Sequence, residues 1–266
     1  MSGGSNKNIL ITGASGLIGT RLTEMLLQRD YAVSHLSRSA SKGAIKTAVW
    51  HPEKFFIESH ALQHADAIVH LAGAGVGDKR WTNTRKREIL ESRTRSSALL
   101  FKALQEQQHN VKAVISASGI SFYGPADGSH AFTEEDGPGA GFLASVTRLW
   151  EHEVDKIQSL GIRVVKLRTG VVFSDRGGAL PVMARPVRWM AGAVLGGGDQ
   201  YISWIHIDDI CHMFIKAIED NSMTGPYNAV SSYPVTNKEL TQAIARLLRK
   251  PLFLPRVPSV VLRLLL

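Results

Sequence analysis

The chain of 266 residues holds a single cysteine, Cys211, so no intramolecular disulfide can staple it and a disulfide-built scaffold is excluded. Long hydrophobic runs are also missing. Nothing approaches the roughly 20 apolar residues that span a bilayer, and the closing VVLRLLL is short and broken by Arg263. The polar start MSGGSNKN lacks the charged-then-apolar pattern of a signal peptide. We therefore expect a cytoplasmic protein with no membrane partner. Internal repeats and long low-complexity linkers are absent too, which excludes a solenoid. With 44% hydrophobic residues, a chain of this length can bury one large α/β core and add a smaller lobe.

Acid is the scarcer charge, 23 Asp and Glu against 31 Lys and Arg, for a formal charge of +8. The excess is diffuse apart from a basic cluster at residues 79–95. Such a cluster suits nucleic acid, a solvated helix face, or the phosphates of a cofactor and an anionic substrate. No nucleic-acid module signature accompanies it, so no nucleic-acid partner is expected.

Residues 8–27, NILITGASGLIGTRLTEMLL, organise the chain. Ile9, Leu10 and Ile11 form the short apolar run of a central parallel strand, and Leu17, Ile18, Leu22, Met25 and Leu26 recur at helical spacing. The change of period falls on glycines. Gly13 permits a tight turn, Gly16 a close approach to a pyrophosphate, and Gly19 the packing of helix on strand, while free amides at the helix start face the anion. With Thr12 before them, these glycines are spaced G-x-x-G-x-x-G. In this the chain resembles the extended short-chain dehydrogenase/reductases, the nucleotide-sugar epimerase and dehydratase group.

Residues 31–36 read as the second strand, ending at Ser37-Arg38-Ser39 about 20 residues after the glycine turn. A carboxylate there would bind the ribose hydroxyls of NAD, whereas a guanidinium would attract a 2'-phosphate. The sequence offers Arg38 and no acid, which favours NADP(H) over NAD(H). Residues 46–50 read as a short strand, followed by a partly exposed helix containing His60 and His64. Their i, i+4 spacing suits a metal, but no third ligand is evident, and no metal is expected. Residues 66–74, DAIVHLAGA, read as a buried strand resembling the D-x-V-x-H-L-A-G segment of the extended group, which implies that Leu71, Ala72, Gly73 and Ala74 lie along the cofactor.

A long helix follows, with Ile89, Leu99, Leu100, Ala103 and Leu104 on its apolar stripe. Arg80-Trp81-Thr82 and Ser92-Arg93 resemble the R-W-T and S-R segments of one branch, the YfcH-like NAD(P)-dependent epimerase family. Arg93 falls where extended members usually carry an Asn; it could clamp a substrate anion or make a helix salt bridge. Residues 111–118 read as a third core strand, and the family places its active-site hydroxyl at the end of it. Ser118 fits best, with Ser116 and Ser121 open, and Tyr123 matches the tyrosine of the family's Y-G pair. Glu134 lies in a segment resembling the family's T-E-E, either at the substrate or in a solvated acidic loop.

Short-chain dehydrogenases carry Y-x-x-x-K on the next helix, where tyrosine moves the proton and lysine favours the tyrosinate. Here those two places hold Phe142 and Val146. The YfcH-like branch shares this lack. Residues 161–173 read as one further strand containing Arg168-Thr169-Gly170, which resembles the branch's R-T-G-V-V. Beyond it, Gly177-Gly178, Pro181, Pro186 and the loop 195–200 flank a short amphipathic segment. Residues 201–209, YISWIHIDD, resemble the W-I-H-I-D-D signature. They set Trp204 and His206 at the cleft, with His206 equally readable as a core histidine, and give Asp208 or Asp209 as the cap of a helix at 210–218. Tyr227-Asn228 matches the F/Y-N-x-V-S strand, Thr236 begins a helix through Leu248, and 251–258 reads as a connector. Family members usually continue past residue 266, so the C-terminal lobe reads as truncated.

The expected fold is α/β, a Rossmann-type doubly wound parallel sheet with a small discontinuous C-terminal substrate lobe. Residues 1–174 form the NAD(P)-binding core, 175–200 a lobe segment, 201–225 a return to the core and 226–266 the lobe. The cofactor set is Thr12, Gly13, Ser15, Gly16, Leu17, Ile18, Gly19, Ser37, Arg38, Leu71, Ala72, Gly73, Arg93 and Arg168. Trp204, His206 and Glu134 are expected at a small-molecule substrate, with Ser118 and Tyr123 as the catalytic hydroxyls. The resemblance implies an NADP(H)-dependent epimerase or reductase for a small polar, sugar-like or carbonyl substrate; the alternative is an NADPH-binding sensor or scaffold without useful turnover. The oligomeric state is not legible.

Overall fold

From residue 8 the chain alternates strand and helix. It runs β1 (Asn8–Thr12), α1 (Leu17–Leu27), β2 (Ala32–Ser37), β3 (Lys46–His51), β4 (Phe56–Ile57), β5 (Ala67–His70), α2 (Asn83–Glu106), β6 (Ala113–Gly119) and α3 (Phe142–Asp155). It continues through β7 (Arg163–Thr169), β8 (Val171–Ser174), β9 (Gly177–Gly178), α4 (Ala179–Arg188), β10 (Tyr201–Ile202), β11 (Trp204–His206), α5 (Ile207–Glu219), β12 (Gly225–Ala229), β13 (Val235–Thr236) and α6 (Asn237–Leu248). This computed structural model describes residues 7–40, 43–125, 128 and 130–253. The polar start to residue 6, the VVLRLLL close and the connector beyond residue 253 lie outside the described residues.

The central strands read as unbroken apolar runs because both of their faces are covered. Ile9 and Ile11 of β1, Val69 of β5, Ile115 of β6 and Val165 of β7 share one apolar layer with α1 and α5. Leu10, Ile68, Val114 and Val164, one residue out of step, share the other with α2 and α3. Period-two alternation thus divides each strand between two cores.

The main sheet has the order β12-β7-β6-β5-β1-β2-β3-β4, parallel throughout except for β4, which folds back on β3. From β1 the chain winds outward through β2 and β3, then returns to lay β5 on the other side of β1. The reversal opens a crevice beyond the carboxyl ends of β1, β2 and β5. A mostly parallel sheet with helices on both faces is the doubly wound fold expected from the sequence.

Several elements differ from expectation. The helix expected around His60 and His64 does not form; residues 58–65 run in turns and His60 has φ +70°, so the two imidazoles do not share a helix face. The single strand expected at 161–173 is two. It breaks at Gly170, where a Cβ would lie 2.6 Å from the Ser203 carbonyl oxygen, and β8 leaves the main sheet for a small one ordered β11-β8-β9. At residues 226–229 the return to the core runs past the expected boundary, because β12 pairs with β7 at the sheet edge. The helix expected at 210–218 starts at Ile207, with His206 as its N-cap: Nδ1 accepts the Asp208 amide at 3.2 Å. Neither Asp208 nor Asp209 caps it, since Asp208 turns instead to Arg21 at 2.6 Å. α4 and α6 pack through Ala184, Val187, Ile244 and Ala245 into a small core of their own.

Candidate functional site

Gly13 follows β1 with φ +68°, and a Cβ on it would lie 2.8 Å from the Leu71 backbone. A Cβ on Gly19 would lie 2.6 Å from the Cα of Ala14, so α1 meets the turn this closely only because both positions are glycine. Gly16 is the N-cap of α1 and no side chain caps the helix start, which leaves its first amides for an anion. The turn is a cradle that side chains would fill, and it fits the pyrophosphate of a dinucleotide.

Thr12 shapes the opposite wall. Its Oγ1 accepts the amides of Leu71 and Ala72 at 3.1 and 3.2 Å and pairs with Nδ1 of His70 at 2.8 Å. His70 is fully buried against the hydroxyls of Ser96 and Ser97 and the ring of Trp50. Burial, helped by the charge of Arg93, pushes its pKa down to about 3. A neutral histidine thus ties the strand ends together beneath the cleft.

The cleft itself is about 1160 Å³. Gly13, Ser15, Gly16, Ser37, Arg38, Leu71, Ala72 and Gly73 of the expected cofactor set all line it. Leu17 lines a second hollow of about 300 Å³ that shares Ser15 and Gly16 with the first. Ile18 packs into the α1/α5 apolar layer. Arg93 and Arg168 are not among the lining residues. Arg93 makes no helix salt bridge; its Nη1 donates to the carbonyls of Ala74 and Ile89 at 2.9 and 3.0 Å, and the guanidinium stands 5.2 Å from the Trp150 ring centre. It staples the segment after β5 to α2. Burial, then the charge of Arg85, lowers its pKa to about 10, so it remains a cation near neutrality.

Ser118, Tyr123, Glu134 and Arg168 meet in a buried polar network on the far side of β6. Arg168 of β7 grips Glu151 of α3 with two hydrogen bonds, Nε to Oε1 and Nη2 to Oε2, each 3.0 Å. Ser118 donates to the same carboxylate at 2.5 Å, and Lys166 stands 3.5 Å from it and 2.7 Å from Asp155. Burial drives the Glu151 carboxyl upward, but hydrogen bonds from Arg168 and Ser118 outweigh it and hold the group below its ordinary range. Arg168 Nη1 donates to the Tyr123 hydroxyl at 2.8 Å, and Tyr123 donates to Asn228 at 2.7 Å, while Glu134 accepts the Asn228 amide at 2.5 Å. None of these groups lines the cleft. The other candidate hydroxyls are engaged as well: Ser116 donates to the Ala117 carbonyl, and Ser121 pairs with Thr147 at 2.9 Å.

At the place of the missing Tyr/Lys pair, Phe142 packs edge-on against Trp81 at 5.3 Å and Val146 is buried. An ammonium does stand at Phe142, but it comes from α2: Lys86 Nζ is 5.5 Å from the ring centre. Trp204 stacks on Phe173 at 5.3 Å and donates to the Tyr233 carbonyl, and His206, exposed at the start of α5, is not a core histidine.

Sequence reasoning passed over His70, Glu151, Arg85 and Asn228. His70 and Asn228 sat inside quoted motifs without a role. Glu151 was recoverable: Thr147, Trp150, Glu151 and Val154 recur at helical spacing, so the acid falls on the buried stripe and needs a buried cation. Lys166 and Arg168, two apart on β7, supply it. Arg85, only 6% exposed, carried no comparable signal in a run of exposed bases.

Comparison with known proteins now places the chain. The model of the NAD dependent epimerase/dehydratase family matches residues 9–230. The epimerase family protein YfhF of Bacillus subtilis (strain 168) is 35% identical over 252 residues, covering 93% of this chain and 82% of its own. A crystal structure of human epimerase family protein SDR39U1 (isoform 2) with NADPH superposes with a TM-score of 0.85 at 31% identity, over 97% of this chain and 85% of that one. A nucleoside-diphosphate sugar epimerase from Corynebacterium glutamicum gives 0.79 at 34% identity, over 98% of this chain and 55% of that one. Glycine cradle, switch-point cleft and sequence kinship agree, and the chain belongs to the NAD dependent epimerase/dehydratase family.

Proposed function

We propose that this protein binds NADP(H) and uses it for transient hydride transfer to and from a small polar, sugar-like or carbonyl substrate, either inverting a centre or reducing it. The observation that carries the cofactor choice is Arg38, a cleft-lining guanidinium at the end of β2 with no carboxylate within 4.0 Å among the described residues. An NAD site wants an acid there, and a 2'-phosphate wants this cation. NADPH in the human relative supports the same choice. When bound, the cofactor supplies hydride chemistry. The chain's own residues orient it through the glycine turn and the wall set by Thr12 and His70. We assign the proton to Tyr123, whose hydroxyl accepts from Arg168 at 2.8 Å and donates to Asn228 at 2.7 Å, a fixed phenol in the segment that follows β6.

A second reading, of a cofactor-binding sensor or scaffold without useful turnover, draws on one observation. Ser118 and Tyr123 are both engaged with partners in the buried network and neither lines the cleft. Incubating the purified protein with NADPH or NADP⁺ and a panel of nucleotide sugars and short carbonyl compounds, while following nicotinamide absorbance, separates the two. A substrate-dependent absorbance change supports the enzyme, and tight NADPH binding with none across the panel supports the sensor.

A further inference from the structure

The glycine turn, the end of β2 and the buried network leave one cluster beside the cleft without a role. Trp81, Lys86 and Phe142 meet where the loop before α2 approaches the start of α3. The Trp81 and Phe142 rings pack edge to face with centres 5.3 Å apart, and Lys86 Nζ stands 5.5 Å from the centre of the Phe142 ring. Trp81 is fixed by its Nε1, which donates to the Val76 carbonyl at 2.9 Å, yet 39% of the residue stays exposed. Phe142 and Lys86 are half-buried. An indole held in this way and left open presents a fixed apolar face to solvent.

The cluster lies toward one end of the cleft. The lining runs from Arg38 at the end of β2, past the glycine turn, to Gly73, Ala74 and Gly75 after β5. Val76, which holds Trp81, is the next residue, and Phe142 opens the helix that follows β6. In the sheet β6 lies beyond β5, on the side away from β2. A dinucleotide with its 2'-phosphate at Arg38 and its pyrophosphate at the glycine turn points its nicotinamide end this way. Tyr123, to which the proton is assigned, follows the same strand β6.

The charge is as notable as the place. Lys86 is the fourth residue of α2, where the helix dipole disfavours a cation, and the first turn of α2 holds no acid. Its neighbour Arg85 is engaged with Gly75, Asp78 and Glu88, whereas among the described residues no carboxylate lies within 4.0 Å of Lys86. A ring contact at a solvated place returns little more than the dipole takes away. The first turn of α3, which carries Phe142, also lacks an acid. We propose that Lys86, Trp81 and Phe142 anchor an anionic group of the substrate, a carboxylate or a phosphate. The ammonium takes the charge, and the rings take the carbon skeleton beside it. The inference rests on the hydride-transfer reading above and narrows its substrate to sugar acids or sugar phosphates, since a neutral sugar leaves the ammonium unanswered.

The test is calorimetric titration of the purified protein, saturated with NADP⁺, with glucose, glucuronate and glucose 6-phosphate. At least one of the two anions should bind about five- to tenfold more tightly than glucose, as expected for a charge-assisted contact partly screened by solvent, and the tighter of them identifies the group as carboxylate or phosphate. Lys86→Met should bring both anions to the affinity of glucose, Lys86→Arg should keep their advantage, and Trp81→Leu should weaken all three sugars together. NADP⁺ affinity, measured alongside, should be the same in every variant. Equal affinity for the three sugars, binding of neither anion, an advantage that survives Lys86→Met, or a loss of NADP⁺ affinity in that variant each overturns the proposal. If the unmodified protein binds no NADP(H), the hydride-transfer reading itself fails; if it oxidises NADPH with neutral sugars or carbonyl compounds and refuses both anions, only this inference fails.

Discussion

Replacing Glu151 by glutamine removes one charge from the buried network and keeps the shape of the side chain. Glu151 is 5% exposed, and it neutralises Arg168, at 4%, and part of Lys166, at 7%. Deleting one partner of a buried ion pair costs about 3–5 kcal/mol, because the other charge is left uncompensated in a poorly solvated place. Two features soften the loss here. The glutamine oxygen still accepts from Arg168, and Asp155, 2.7 Å from Lys166, still neutralises the lysine. We expect a loss near the lower end, about 3 kcal/mol, or roughly 6 °C in Tm for a chain of this size. Thermal and urea unfolding at pH 7 read it directly. The network also sets a pH dependence. A carboxyl held below its ordinary range contributes stability that is present above the unfolded value, near 4.3, and is lost as pH falls through the folded one, so the glutamine variant should lose less stability than the parent on acidification. Stability within about 0.5 kcal/mol of the parent at pH 7 would refute the reasoning, since that is the range of an ordinary surface change.

His70, neutral with its pKa pushed down to about 3, cannot take the proton that an unfolded histidine takes below about 6.5. Each pH unit between about 6 and 4 should therefore cost on the order of 1.4 kcal/mol of stability from this residue, and His70→Gln should flatten that part of the unfolding profile. Gly13→Val, forced to φ +68° with a Cβ 2.8 Å from the Leu71 backbone, should abolish dinucleotide binding in a titration, while Gly77→Ala, where a Cβ meets nothing within 4 Å, should leave it intact. Tyr123→Phe should remove any substrate-dependent hydride transfer while leaving NADPH affinity unchanged, at a stability cost of about 1–3 kcal/mol from the unpaired Asn228 and Arg168. Activity that survives Tyr123→Phe combined with Ser118→Ala would move the proton to another group.

The strand–turn–helix unit at residues 8–27 was legible because the apolar period changes on the glycines themselves, and the central strands because two covered faces call for apolar residues at consecutive positions. α6 could be read from Thr236, which with Glu239 forms a reciprocal cap. What failed depended on partners far away in sequence. Asp208 looked like a helix cap, yet Arg21, 187 residues earlier, draws its carboxylate away and leaves His206 to cap. The break at Gly170 is set by the close approach of Ser203, which no local pattern announces. His60 and His64 had helical spacing, but spacing alone does not make a helix. At the site, the residues of the glycine turn and of the ends of β2 and β5 could be named from motif positions, and most of them line one cleft. The other half of the site was not legible, because motif position fixes where Ser118, Tyr123 and Arg168 sit but not that Glu151 draws Ser118 and Arg168 together, with Tyr123 joined through Arg168, away from the cleft lining.

The central claim is that this cleft holds a 2'-phosphorylated dinucleotide selected by Arg38. Titrating the purified protein with NADPH and NADH side by side, before and after Arg38→Asp, tests it most directly. The account predicts that the unmodified chain binds NADPH the more tightly, and that the substitution costs on the order of 1.5–3 kcal/mol of NADPH affinity, roughly ten- to 150-fold, with little loss for NADH. Equal affinity for the two dinucleotides in the unmodified protein would contradict it.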